Sequence, residues 1–186
     1  AINPNVAGTY EVTYNVTDAA GNEALQVTRS VIVEDTIAPI ISLNGQATLE
    51  HEQATPYIDA GASALDSFDS DITASIVVTN EVDSARAGEY TVTYNAQDAA
   101  GNAAIPVIRT VRVVDTTAPV ITLTGAATVN VEQGTSYVKA GAMATDSVDG
   151  DISVSILIGG DAINPNVAGT YEVTYNVTDA AGNEAL

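Results

Sequence analysis

The feature that most constrains this chain is self-similarity. Residues 1–25, AINPNVAGTYEVTYNVTDAAGNEAL, recur letter for letter at 162–186, an offset of 161. Repetition at a fixed period means that one folding unit is used more than once, so each segment is read against its counterpart. A shorter period lies inside the long one: residues 35–72 align without a gap to 115–152, an offset of 80. Residues 87–102 align with 168–183 at an offset of 81, the extra residue falling among 159–165. The unit is therefore about 80 residues long, and the perfect period holds two diverged units.

These units set the expected boundaries. Residues 35–114 form one complete domain, 115–186 a second that lacks its last strand, and 1–34 the C-terminal part of a preceding one. What the last unit lacks is the counterpart of QVTRSVIVE at 26–34. A chain cut in mid-unit, with the same residues at both ends, reads as a window from a longer tandem array.

Within a unit the apolar pattern has period two, which marks half-buried strands. Tyr171, Val173, Tyr175 and Val177 share one face, while Thr170, Glu172, Thr174 and Asn176 share the other. Tyr90, Val92 and Tyr94 repeat the pattern. Val/Ile/Thr runs at 40–43, 72–78 and 107–114 are bounded by Gly, Pro, Asn or Asp, the pattern of an all-β sandwich. Gly8, Gly88 and Gly169 each stand two residues before a tyrosine at a strand start. There a tyrosine hydroxyl can tie the strand to the connection before it. The Ala-Ala-Gly-Asn strings beginning at Ala19, Ala99 and Ala180 read as hairpin turns, with Gly and Asn suited to positive φ.

Charge narrows the partners. Acidic residues number 24 against 5 basic ones, a net charge of −19, which repels phosphate backbones and anionic headgroups. Nucleic acid is excluded as a partner. At 46% hydrophobic residues the chain still has enough apolar surface to fold. No run of 18 apolar residues occurs, so no membrane insertion is expected, and the first residues do not read as a signal peptide. With no cysteine there is neither a disulfide framework nor a thiolate metal site.

The strings DTTAP, TDSVDGDIS and GTYEVTYNVTDAAGN, in that order in successive units, resemble the bacterial Ig-like tandem repeats of large surface adhesins. They are also similar to hyalin-repeat and insecticidal-crystal-protein Ig-like modules. The resemblance covers the whole chain. It implies tandem immunoglobulin-like β-sandwich domains in a secreted or bacterial cell-surface protein, with calcium at the domain junctions.

Aspartates recur at fixed places in the unit: Asp35, then Asp66, Asp69 and Asp71, then Asp98; and again Asp115, then Asp146, Asp149 and Asp151, then Asp179. In an Ig-like sandwich the segments carrying them lie at one end, so five carboxylates per unit converge at the junction with the unit before. Two carboxylates ~5 Å apart repel by roughly 3 kcal/mol at an effective dielectric of ~20. No lysine or arginine sits in these loops to offset that. A bound cation would, and all-oxygen ligands in flexible loops suit Ca²⁺ better than Zn²⁺. The competing reading is that Asp caps turns. Asp18 belongs to the incomplete first unit, without its partners.

Other candidates carry less. His51 has Val131 as its counterpart, and Lys139 has Asp59, so neither marks a site common to the units. Tyrosines at repeated strand positions read as core and corner residues, and Asn15 and Asn176 open N-x-T sequons that read as strand residues. There is no nucleophile with a base beside it and no phosphate-cradling loop. The expected function is a non-enzymatic spacer whose partners are adjacent repeats of the same chain. The alternatives are a ligand- or glycan-binding module and a subunit of an extracellular filament in which copies donate a strand to one another.

Overall fold

Alternation produces strands, and the computed structural model describes residues 1–185, among which are fourteen strands and two 3-10 turns. Near the N-terminus β1 (Gly8–Tyr14) and β2 (Val27–Val33) form an antiparallel two-stranded sheet, with Gly8 opposite Val33 and Tyr14 opposite Val27. In 35–114, β3 (Ile40–Leu43), β5 (Ala62–Asp66) and β6 (Ser70–Asp71) form one sheet. The other has the order β4 (Thr48–Glu52), β9 (Val107–Val114), β8 (Gly88–Asn95), β7 (Val77–Asn80), with β4 and β9 parallel. In 115–185, β10 (Val120–Leu123), β11 (Ala142–Asp146) and β12 (Gly150–Asp151) form a sheet, and β13 (Leu157–Gly160) pairs with β14 (Val173–Asn176). The chain is all-β, as the alternation predicts.

The residues group into two compact units. One holds Ala1–Ala47, Asp59–Asn80 and Val92–Arg109; the other holds Thr48–Ile58, Glu81–Thr91 and the chain from Thr110 onward. The first has a core of Ile41, Ala62, Ala64, Val92, Tyr94, Ala96 and Ala104. The second buries Val111, Val113, Ala144 and Val177.

An arginine sits in the first core. Arg109 occupies the inward parity of β9 and is 1% exposed. Its Nη1 donates to Asp59 Oδ1, its Nε to the Gln46 carbonyl at 3.1 Å, and its Nη2 to the Asn44 and Gly61 carbonyls at 2.6 and 3.1 Å. Tyr94 donates its hydroxyl to Asp59 Oδ2 at 2.5 Å, and the guanidinium lies 5.8 Å from the Tyr94 ring centroid. A buried cation persists only when its donors are satisfied, and this one has a carboxylate and three carbonyls.

Local chemistry at the strand starts and turns follows the sequence. Tyr10, Tyr90 and Tyr171 donate to the carbonyls of Val6, Arg86 and Val167, each four residues upstream, at 2.9, 3.1 and 3.1 Å. In the Ala-Ala-Gly-Asn turns the glycines take positive φ, +91° at Gly21, +98° at Gly101 and +97° at Gly182. The asparagines do not, which corrects the expectation for that position. They act instead through their side chains: Asn102 Nδ2 donates to Asp98 Oδ2 at 2.8 Å and Asn183 Nδ2 to Asp179 Oδ2 at 2.7 Å.

Candidate metal centre

Two aspartate clusters form, one in each compact unit. In Asp35, Asp66 and Asp69 one carboxylate oxygen from each residue lies within 4.8 Å of the others, and in Asp115, Asp146 and Asp179 the same holds. Strand parity explains the burial at their centres. Ala62, Ala64 and Asp66 occupy the inward positions of β5, so Asp66 is carried inside at the strand end and is only 8% exposed. Asp146 follows Ala144 on β11 in the same way, also at 8%.

The first oxygen of each central aspartate organises its loop. Asp66 Oδ1 accepts from the N–H groups of Phe68 and Asp69 at 2.7 and 2.9 Å, and Asp146 Oδ1 from Val148 and Asp149 at 2.7 and 3.0 Å. The second oxygen has no such use. Asp66 Oδ2, Asp146 Oδ2 and Asp35 Oδ2 are buried without a hydrogen-bond partner. Asp35 and Asp115 spend their Oδ1 atoms on the N–H groups of Ile37 and Thr117, at 3.0 and 3.1 Å.

The remaining expected residues divide. Asp69 Oδ2 accepts from Ala99 N–H at 2.8 Å and Asp149 Oδ2 from Ala180 N–H at 2.7 Å, tying the acidic loop to the Ala-Ala-Gly-Asn turn. Asp98 is buried like Asp179, both at 8% exposure, although it is not one of the three clustered carboxylates in its unit. Asn102 and Asn183 also reach the Asp35 and Asp115 carbonyls, at 3.1 and 3.3 Å. Asp71 and Asp151 lie outside both clusters, where they accept from Thr73 and Ser153 N–H groups at 2.9 and 3.0 Å as turn caps.

Electrostatics follow from this packing. Burial pushes the Asp115 carboxyl above its ordinary range, with the charges of Asp146, Asp179 and Glu52 adding to the effect. Burial works the same way on Asp98 and Asp179, but hydrogen bonds from Asn102 and Asn183 and from the turn N–H groups outweigh it and hold both low. Among the described residues the ion pairs are Arg86–Asp83, Arg109–Asp59 and Arg112–Glu50, none of which reaches a cluster. The donor set is thus carboxylate oxygen, with orphaned lone pairs and no protein cation, which fits a hard divalent ion.

Glu52 is a residue that the aspartate pattern missed. Its Oε2 accepts from the Thr116 hydroxyl at 2.6 Å and its Oε1 from the Thr117 hydroxyl at 2.8 Å, next to Asp115. These bonds, the one from Thr116 foremost, hold its carboxyl below the usual range. The signal was present in the sequence, since Glu132 stands at the matching place in the next repeat. His51 has a local role: its Nε2 contacts the Thr55 carbonyl at 3.0 Å and its ring meets Tyr57 edge-on at 5.2 Å.

Paired sheets, tyrosine-tied strands and acidic loops define an immunoglobulin-like β-sandwich protein. A family model for the bacterial surface protein Ig-like domain matches residues 1–33, 41–113 and 121–186, and the chain belongs to that family. It is 28% identical over 192 residues to an uncharacterized 81.3 kDa protein of Acholeplasma phage L2, covering 98% of this chain and 26% of that protein. It is 30% identical to the pesticidal crystal protein Cry22Aa of Bacillus thuringiensis, covering 94% of this chain and 24% of that protein. With hyalin of Strongylocentrotus purpuratus the identity is 33%, over 96% of this chain and 15% of hyalin. The chain spans about a quarter or less of the length of these relatives. No described helix is long and apolar enough to cross a membrane.

Proposed function

We propose that the chain is a non-enzymatic spacer of an extracellular or bacterial cell-surface protein, built from Ig-like domains in series and stiffened by Ca²⁺ at the aspartate clusters. The observation that carries the calcium reading is the set of orphaned carboxylate oxygens on Asp35, Asp66 and Asp146. Loop-capping explains one oxygen of each residue and leaves the other buried, anionic and unsatisfied, a costly arrangement without a cation. Each cluster draws on the start of one repeat and a loop deep within it, so an ion there links segments far apart in sequence. The spacer reading rests on repetition and family membership, which supply length and no reaction centre.

Calcium bound only by the folded chain adds RT ln(1 + [Ca]/Kd), about 1.4 kcal/mol per site at ten times Kd. Sites of this kind in extracellular modules have Kd of ~0.1–1 mM. Titration of calcium into chelator-treated protein, followed by calorimetry and by melting, tests the reading. The expected result is a saturable binding isotherm and a melting temperature that rises with millimolar calcium and that magnesium does not match. Equal melting temperatures in chelator and calcium would overturn the ion assignment.

A further inference from the structure

In the complete repeat β4 and β9 run parallel, in register from Thr48 beside Thr110 to Glu52 beside Val114, whereas β3–β5 and β7–β8 are antiparallel. The chain enters β4 at its Thr48 end and leaves β9 at its Val114 end. These two points lie at opposite ends of the ladder. Tension along the chain between residues 35 and 115 therefore draws the two strands past each other, and the ladder bonds are loaded together. Had the strands been antiparallel, both points would lie at one end and the bonds would open one after another.

We propose that segments 44–54 and 109–117 form a shear clamp, which gives this repeat a load-bearing function. The spacer reading supplies only the source of the tension. Side chains extend the clamp past both ends of the ladder. Ahead of it, Arg109 Nη2 and Nε donate to the Asn44 and Gln46 carbonyls at 2.6 and 3.1 Å, while Asp59 holds the guanidinium in place. Behind it, the Gln53 N–H donates to the Val114 carbonyl at 2.7 Å. There the Thr116 N–H and hydroxyl and the Thr117 hydroxyl all donate to the Glu52 carboxylate. The chain is thus gripped where it enters and leaves the ladder, the places where tension reaches the backbone bonds first.

Within the ladder Glu50 pairs with Arg112, its partner in register, at 3.0 Å. Val111 and Val113, at 0% and 1% exposure, keep water off the inner face, so a strained bond there finds no water to replace its partner. A second segment holds β4 against sliding: the Ala54 N–H donates to the Ser84 carbonyl at 2.8 Å and Gln53 Nε2 to the Ala85 carbonyl at 3.0 Å. Resistance to pulling is set by the rate of forced unfolding, not by equilibrium stability. A substitution that keeps the core filled but releases the gripped carbonyls therefore separates the two. Arg109→Met with Asp59→Leu does this, since it removes the donors to Asn44 and Gln46 and leaves apolar side chains in their place.

The test is to pull the whole chain in optical tweezers from two pairs of points. The chain has no cysteine, so introduced cysteines define the points of attachment. Thr36→Cys with Ala118→Cys loads the ladder in shear, and Ala54→Cys with Ala118→Cys pulls both strands from the Glu52 end. The shear pair is expected to unfold at a severalfold higher force, releasing up to about 28 nm for the residues between its handles at ~3.4 Å each. Equal forces in the two directions, or a higher force on opening, overturn the clamp. Arg109→Met with Asp59→Leu is expected to lower the shear force and leave the opening force as it was. A shear force that this double variant does not move overturns the grip of Arg109. All pulling is done in chelator, so the outcome holds whether or not the aspartate clusters take calcium. A weak clamp, in turn, leaves the result of the calcium titration standing.

Discussion

At the scale of single residues the molecule is governed by a few buried charges. Arg109 is enclosed, and its removal leaves Asp59 without its cation in a half-buried place. Breaking such a pair from one side costs about 3–5 kcal/mol, whereas replacing both partners by apolar residues is often neutral. Arg109→Ala is therefore expected to lower stability by about that amount in urea unfolding, and Arg109→Met with Asp59→Leu to recover most of it. Glu52 makes a second prediction, in pH. Its folded carboxyl titrates below the usual range, so its stabilising contribution is complete above the unfolded value and is lost as pH falls through the folded one. Carboxyl NMR titration is expected to place Glu52 below the usual glutamate range, and Glu52→Gln to cost about 1 kcal/mol at neutral pH and nothing below both values. Neither residue was singled out from the sequence. Arg109 looks like a surface arginine until strand parity turns it inward, and Glu52 takes its meaning from threonines more than sixty residues away.

At the scale of strands and loops, parity decides which aspartates are different. Asp66 continues the inward series of Ala62 and Ala64, while Asp71, five residues on, faces out and caps Thr73. Replacing Asp66 by Asn keeps an oxygen for the Phe68 and Asp69 N–H groups but removes the orphaned anionic one. Asp66→Asn is expected to leave calcium-free stability unchanged or raised and to abolish about half of the chain's calcium-dependent melting shift, the share of one cluster of two. Asp71→Ala is expected to lower melting equally with and without calcium. If Asp66→Asn lowers both equally, the carboxylate is a loop cap and nothing more. The recurrence of the aspartates was legible in the sequence, as was their gathering into loops; the separation of cluster members from caps was not, because Asp-x-x-Asp-x-Asp fixes spacing without fixing where each oxygen points.

At the scale of the whole molecule the net charge of −19 works against compactness. In chelator, melting is expected to rise between 20 mM and 500 mM salt as screening shortens the reach of the repulsion from ~20 Å to a few ångströms. With calcium bound the salt dependence is expected to shrink, and an equal slope in both conditions would show that the clusters do not carry the repulsion. Alternation made the all-β character legible in the letters, along with the tyrosine-tied strand starts, the turns and the repeat that aligns one aspartate set with the next. Only tertiary structure decided what identical residues become. Residues 8–14 form a seven-residue strand where Val27–Val33 supplies a ladder, yet the same letters at 169–172 form none, because extended backbone needs a neighbour for its N–H and C=O groups. Val16 is 66% exposed and its copy Val177 3%; Asp18 lies in the open and its copy Asp179 is buried beside Asp115 and Asp146. Local sequence is the same in each pair, so burial is set by contacts distant in sequence, such as those that bring Asp179 beside Asp115 and Asp146.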